Sequence, residues 1–150
     1  MIKKPTLKDI SDIQKLLKPF IDEGIILKRD DDEIASNIRS YITIYQTNKL
    51  VGVGALHIYS QTLAEIRSLA VSPKYQKQGL GKQIVLALEN EAKELGISQL
   101  LTLTYQKEFF ENLEFIEIPK EQVPEHKVWS DCIKCKHFPN CNEISLIKHI

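Results

Sequence analysis

Glu65-Ile66-Arg67-Ser68-Leu69-Ala70-Val71, followed by Ser72-Pro73-Lys74-Tyr75 and Gln76-Lys77-Gln78-Gly79-Leu80-Gly81-Lys82, organises the rest of the chain. Its first seven residues have the aliphatic content of a strand, and Ser72-Pro73 breaks it. Beyond the glycines, Ile84, Val85, Leu88, Ala92 and Leu95 recur at helical spacing, and Gly96 supplies a stop. A strand therefore feeds a turn, and the turn feeds a helix whose first residues include two glycines. The first amides of any helix lack internal partners and point outward at the positive end of its dipole. Gly79 and Gly81 would let a pyrophosphate approach those amides, because no Cβ intervenes. Lys77 and Lys82 would add countercharge. A tight strand-to-helix turn explains the glycines equally well when they are taken alone. Neither the phosphate-binding Gly-Lys-Ser/Thr ending nor the first glycine of the dinucleotide fingerprint is present.

Upstream, Thr6 and Asp9 form a capping-box pattern before Ile10, Ile13, Leu16 and Leu17, with Pro19 and Gly24 expected to end that helix. The acidic run Asp30-Asp31-Asp32-Glu33 suits the start of a second helix, with Ile34, Ile38 and Tyr41 as its buried stripe. Residues 42–46 and 50–59 are β-rich runs joined by Thr47-Asn48-Lys49, a hairpin pattern. Downstream, residues 99–104 read as a strand, 107–113 as a short helix and 115–118 as the last strand. The sum is a mixed α/β sheet flanked by helices, with a crossover over 69–104 placing two strands parallel. Residues 1–118 form the domain, and 119–150 an extension packed on it, since about 30 residues do not make a core alone.

With 150 residues, 43% hydrophobic and 27% charged, the chain has the composition of one globular domain. Its 20 basic and 20 acidic side chains balance, which argues against a nucleic-acid partner. No apolar run reaches the roughly 18 residues needed to span a bilayer. The polar start Met1-Ile2-Lys3-Lys4-Pro5 is unlike a signal peptide, so a cytoplasmic location is expected.

The spacing Gln76-x-x-Gly79-x-Gly81, after a strand and before an amphipathic helix, resembles the acetyl-CoA-binding motif of the GCN5-related N-acetyltransferase (GNAT) superfamily. The order of elements over residues 1–118 resembles that family throughout. The resemblance implies an enzyme that takes acetyl-CoA as co-substrate, its pantetheine arm beside the backbone of Leu69, Ala70 and Val71. It places the pyrophosphate on the amides from Gln78 through Gly79, Leu80 and Gly81 to Lys82, with Gln76 opening the motif. An amide near Leu69 would polarise the thioester carbonyl.

Acylation requires an uncharged amine, so a group must take its proton. Ala64-Glu65-Ile66 matches the start of the motif strand in family members with a glutamate base, which makes Glu65 the candidate; a surface strand carboxylate is the alternative. Arg67 lies two residues on, on the same face, and a close pair would weaken that base. Phe110 stands where relatives place an acidic tyrosine, and Glu114 replaces the usual glycine before Phe115. Tyr105 is the substitute acid; a packed tyrosine is the alternative.

The segments Gly24–Arg29, Asn37–Arg39, Ala55–Tyr59, Leu103–Gln106 and Lys127–Cys132 together resemble the short single-domain N-acetylglutamate synthases of bacterial arginine biosynthesis. That implies an amino-acid acceptor, L-glutamate, with glutamine, another small amine or a peptide amine as alternatives. A non-catalytic acyl-CoA-sensing module is the reading from a different class. A dicarboxylate needs cationic anchors, and arginine forks suit carboxylates. The chain has three arginines, Arg29, Arg39 and Arg67, and Lys127 is a fourth candidate. Oligomeric state is open, a homodimer included.

All three cysteines fall in the tail, as Cys132-x-x-Cys135-x-His137-x-x-x-Cys141. An odd, clustered set is not a disulfide framework. Three thiolates and an imidazole suit tetrahedral zinc, yet a firm zinc pattern has two separated pairs and this one has a single pair. Reduced, buried thiols account for the cluster as well.

Overall fold

The computed structural model describes residues 1–123 and 143–150. Thr6 and Asp9 form the expected capping box, at a short 3-10 turn (Leu7–Asp9) that leads into α1 (Ile10–Asp22). Pro19 does not end α1, which runs on to Asp22 before Gly24 takes φ 76°. Phe20 and Ile21, beyond the proline, pack against the apolar cluster beneath, which offsets the lost amide bond. Asp30 caps α2 (Asp31–Ser36) by accepting from the Glu33 amide at 2.8 Å. Asn37 closes α2, so Ile38 falls in a 3-10 turn and Tyr41 opens β2 (Tyr41–Gln46) rather than completing a helical stripe.

β2 and β3 (Lys49–Ile58) form the expected hairpin, with Thr47 and Asn48 both at positive φ, as a two-residue primed turn requires. β4 (Leu63–Val71) pairs antiparallel with β3, and α3 (Leu80–Leu95) carries the chain over to β5 (Gln99–Thr104), parallel to β4. α4 (Lys107–Glu111) and β6 (Ile116–Ile118) follow. With β1 (Ile2–Lys3) and β7 (Ile144–His149), the described strands make one sheet in the order β1-β2-β3-β4-β5-β7-β6. β1, a two-residue edge strand, and β7 were not expected from the sequence, and β7 is the larger departure. It lies between β5 and β6, antiparallel to both, so the last described residues complete the sheet.

Helices cover both faces. On one, Ile13 and Leu17 of α1 and Ile34 of α2 bury against Tyr41, Val53 and Ala55. On the other, Ile84, Val85 and Leu88 of α3 and Phe110 of α4 bury against Ile66 and Leu100. Gly52 and Gly54 bring α3 close: a Cβ at Gly54 would stand 2.6 Å from Ile84 Cγ2. No helix among the described residues is long and apolar enough to cross a membrane.

Candidate active site

The site begins with one extra residue in β4. Ala55 pairs with Arg67, yet Val53, two residues away, pairs with Ala70, three residues away. Ser68 takes up the difference with φ 57°, a β-bulge. The bulge resets the side-chain alternation. Ala64 and Ile66 lie on the α3 face, and after the bulge Leu69 and Val71 do so, while Ala70 packs on the α1 face.

Beside the bulge the sheet forks. β4 pairs with β5 only from Leu63 to Glu65, against Gln99 to Leu101. Thr102 Oγ1 donates to the Ile66 carbonyl at 3.2 Å where the ladder stops. Beyond it, the second half of β4 and the end of β5 diverge, and β5 keeps β7 as its partner.

This cleft leads to the N-terminus of α3. Gly79 caps that helix at φ 80°, and Lys77 also adopts positive φ, at 65°. Gln83 donates to the Gly79 carbonyl at 3.1 Å, so the amides of Leu80, Gly81 and Lys82 precede the first helical bond. Open space faces the position a Cβ would take at Gly79. At Gly81 a Cβ would come within 3.3 Å of Phe109 Cζ, so that glycine lets α4 pack against the helix start. Gln76 reaches back, Nε2 donating to the Val71 carbonyl at 2.9 Å, and ties the turn to the end of β4. Amides, the open side of Gly79 and the exposed Lys77 and Lys82 offer a diphosphate hydrogen-bond donors and positive charge.

On the α1 face of the sheet, two rungs carry the polar groups. The first is Tyr41–Ala55–Arg67 across β2, β3 and β4, with the small Ala55 between the two larger side chains. Arg29 comes in from the segment before α2, 8% exposed, with Nη1 on Glu33 Oε2 at 2.7 Å. Burial pushes the Tyr41 phenol above its ordinary range, while the charges of Arg29 and then Arg67 pull it back, so both guanidinium groups act on one hydroxyl. The second rung is His57–Glu65. Glu65 is 2% exposed, and its Oε1 accepts from the Tyr59 hydroxyl at 2.7 Å.

Of the residues singled out in the sequence, the structure brings Glu65, Arg67 and Arg29 to one face, and Leu69 to Lys82 to the cleft and helix start. Arg39 is exposed elsewhere: its carbonyl accepts from Lys4 Nζ at 2.7 Å, which also pairs with Glu91 of α3. Tyr105 lies just past β5, 38% exposed. Phe110 is buried between Phe109 and Phe115. Lys127, Cys132, Cys135, His137 and Cys141 lie outside the described residues. Tyr41 and Tyr59 are the site residues that sequence reasoning missed. Tyr41 looked like the end of an apolar helical stripe, and Tyr59 stood in a resembling segment without a role. A tyrosine at the same end of each neighbouring strand was the only available signal.

The sequence profile of the acetyltransferase (GNAT) family matches residues 7–117. An uncharacterized N-acetyltransferase of Chlorobaculum tepidum is 33% identical over 147 residues, covering 98% of this chain and 94% of that one. The amino-acid acetyltransferase of Aeromonas salmonicida is 28% identical over 124 residues, covering 78% of this chain and 28% of the relative. Among solved structures, N-acetylglutamate synthase from Neisseria gonorrhoeae, complexed with coenzyme A and N-acetyl-glutamate, superposes with a TM-score of 0.89 at 25% identity. That match covers 99% of this chain and 34% of the synthase. This chain thus spans about a third or less of these last two proteins.

Proposed function

We propose that this chain, which belongs to the acetyltransferase (GNAT) family, moves the acetyl group of acetyl-CoA to the α-amine of L-glutamate. Its membership makes it an acetyl-CoA-dependent N-acetyltransferase; the acceptor and the residue roles are our reading. The observation that carries it is the placing of Arg67 and the buried Glu65 on adjacent rungs of one sheet face, with the buried Arg29 close enough for its charge to bear on Tyr41 in the rung of Arg67. Two guanidinium groups on the sheet face that carries one buried carboxylate suit an acceptor with two carboxylates and one ammonium group. The relatives that act on amino acids support the same class.

In this reading the amides of Leu80 to Lys82 and the lysines at the rim hold the diphosphate. The pantetheine arm enters the fork beside Leu69 to Val71. The acceptor's ammonium gives one proton to Glu65, and the freed amine attacks the thioester carbonyl. The C–N bond forms, a backbone amide near Leu69 stabilises the oxyanion, and the C–S bond breaks. The second nitrogen proton passes to the departing thiolate, by way of Tyr105 or water, and Glu65 returns its proton to solvent. Transfer is direct, in a ternary complex, so no cysteine is acylated.

The test is thiol release from acetyl-CoA against glutamate, glutamine and a panel of small and peptide amines. Glutamate should give the highest kcat/KM. Arg67→Ala should raise the KM for glutamate by roughly 10- to 100-fold, the worth of a charge-assisted bond, with acetyl-CoA binding unchanged. Preference for an amine without carboxylates, or an unchanged KM in the variant, would overturn the assignment of acceptor.

A further inference from the structure

We propose that Tyr59 is a positioning residue for Glu65, its phenol holding the carboxylate in the orientation that receives the acceptor's proton, so that the two work as one unit. The inference rests on Glu65 being the base of the reaction above.

The geometry is local and well braced. Glu65 is 2% exposed, and the oxygens of a side chain so buried need hydrogen-bond partners from the protein. Tyr59 supplies one at 2.7 Å, from just past the end of the neighbouring strand. The Tyr59 amide donates to the Leu63 carbonyl at 2.9 Å, which ties the residue to the start of β4. Within that turn, Ser60 Oγ accepts from the amides of Thr62 and Leu63 at 3.2 and 3.1 Å. The His57 ring then meets the Tyr59 ring edge-on, centroids 4.9 Å apart at 81°. His57 is itself the cross-strand partner of Glu65, so the phenol that holds the carboxylate is packed by a ring from the carboxylate's own rung.

A phenol suits this work. It donates a hydrogen bond to one carboxylate oxygen and fixes the plane of the group. A tyrosine that only filled space would be replaceable by phenylalanine without consequence.

That difference is the experiment. Tyr59→Phe keeps the ring and its contact with His57 but removes the donor. Steady-state kinetics with the best acceptor of the amine panel would compare wild type, Tyr59→Phe, Glu65→Gln and the double variant. We expect Tyr59→Phe to lower kcat about tenfold, consistent with loss of a hydrogen bond to a charged group, with the KM for acetyl-CoA and the melting temperature unchanged. Glu65→Gln should lose roughly 100-fold or more, and adding Tyr59→Phe to it should cost nothing further. Wild-type kcat in Tyr59→Phe beside an impaired Glu65→Gln would overturn the positioning role and leave Glu65 as base. Equal, multiplying losses in the double variant would overturn the unit. Full activity in Glu65→Gln would remove the base assignment, and this proposal with it.

Discussion

Glu114 occupies the place where glycine was expected, and it pays no heed to its own side chain's preference: its φ is 73°. The side chain is 85% exposed, its one described charge contact being Lys148 at 3.9 Å, so little compensates the backbone. Glu114→Gly should therefore raise stability by up to about 1 kcal/mol, read as a higher urea midpoint with an unchanged m-value. Asp9 is a second residue with a measurable signature. The Tyr45 hydroxyl and then the Thr6 amide donate to its carboxylate and hold it below its ordinary value of 3.8. A carboxylate whose folded value is depressed contributes stability above the unfolded value, and that contribution fades as pH falls through the folded value. The gap in urea midpoint between wild type and Asp9→Asn should be full near neutrality and narrow below about pH 4. A constant gap down to pH 2 would show that the charge of Asp9 is not what matters.

Among elements, the decisive contact is that of α3 with β3. The helix must lie close enough to the sheet to set its N-terminal amides beside the fork, and the glycines of β3 permit this. A methyl at Gly54 would overlap Ile84 Cγ2 at 2.6 Å and crowd Leu88 Cδ1 at 3.3 Å, both on the buried face of α3. Gly54→Ala should cost about 1–3 kcal/mol by overpacking, and should weaken acetyl-CoA binding because α3 must lift. Calorimetric titration with coenzyme A alongside thermal melting would check it. Unchanged affinity in a destabilised variant would show that α3 shifts without moving its N-terminus.

The whole molecule is closed by its last strand. β7 joins β5 to β6, and Lys148 on it reaches Glu89 of α3 at 2.7 Å, with side chains 13% and 9% exposed. Lys93 approaches the same carboxylate at 3.4 Å, and Lys148 lies over the Phe115 ring. The pair links a terminal strand to the helix that carries the cradle. Breaking it leaves the buried Glu89 with only the more exposed Lys93 as partner, so Lys148→Ala should cost about 1–3 kcal/mol in urea unfolding. Replacing both partners, as Glu89→Met with Lys148→Met, should cost much less than the sum of the single changes.

The features legible in the chain are those settled within a few residues. Thr6 and Asp9 cap, Thr47 and Asn48 turn, and Gly79 and Gly81 open a helix, because each outcome depends on local hydrogen bonds and on which φ a residue tolerates. Glu65 and Arg67 were legible through their place in the motif strand. What the fold alone decided are pairings between distant segments. β7 was hidden because its partners, Leu101 and Ile116 with Ile147, lie far upstream of it. The bulge at Ser68 exists only in the register between β3 and β4. Arg67 shares a rung with Ala55 and Tyr41 only through the pairing of three strands, and Arg29, far upstream, comes within electrostatic range of the same Tyr41. Such contacts follow from the closing of loops and the alignment of strands, and a sequence pattern with a period of two or 3.6 residues carries no record of which strand will lie beside which.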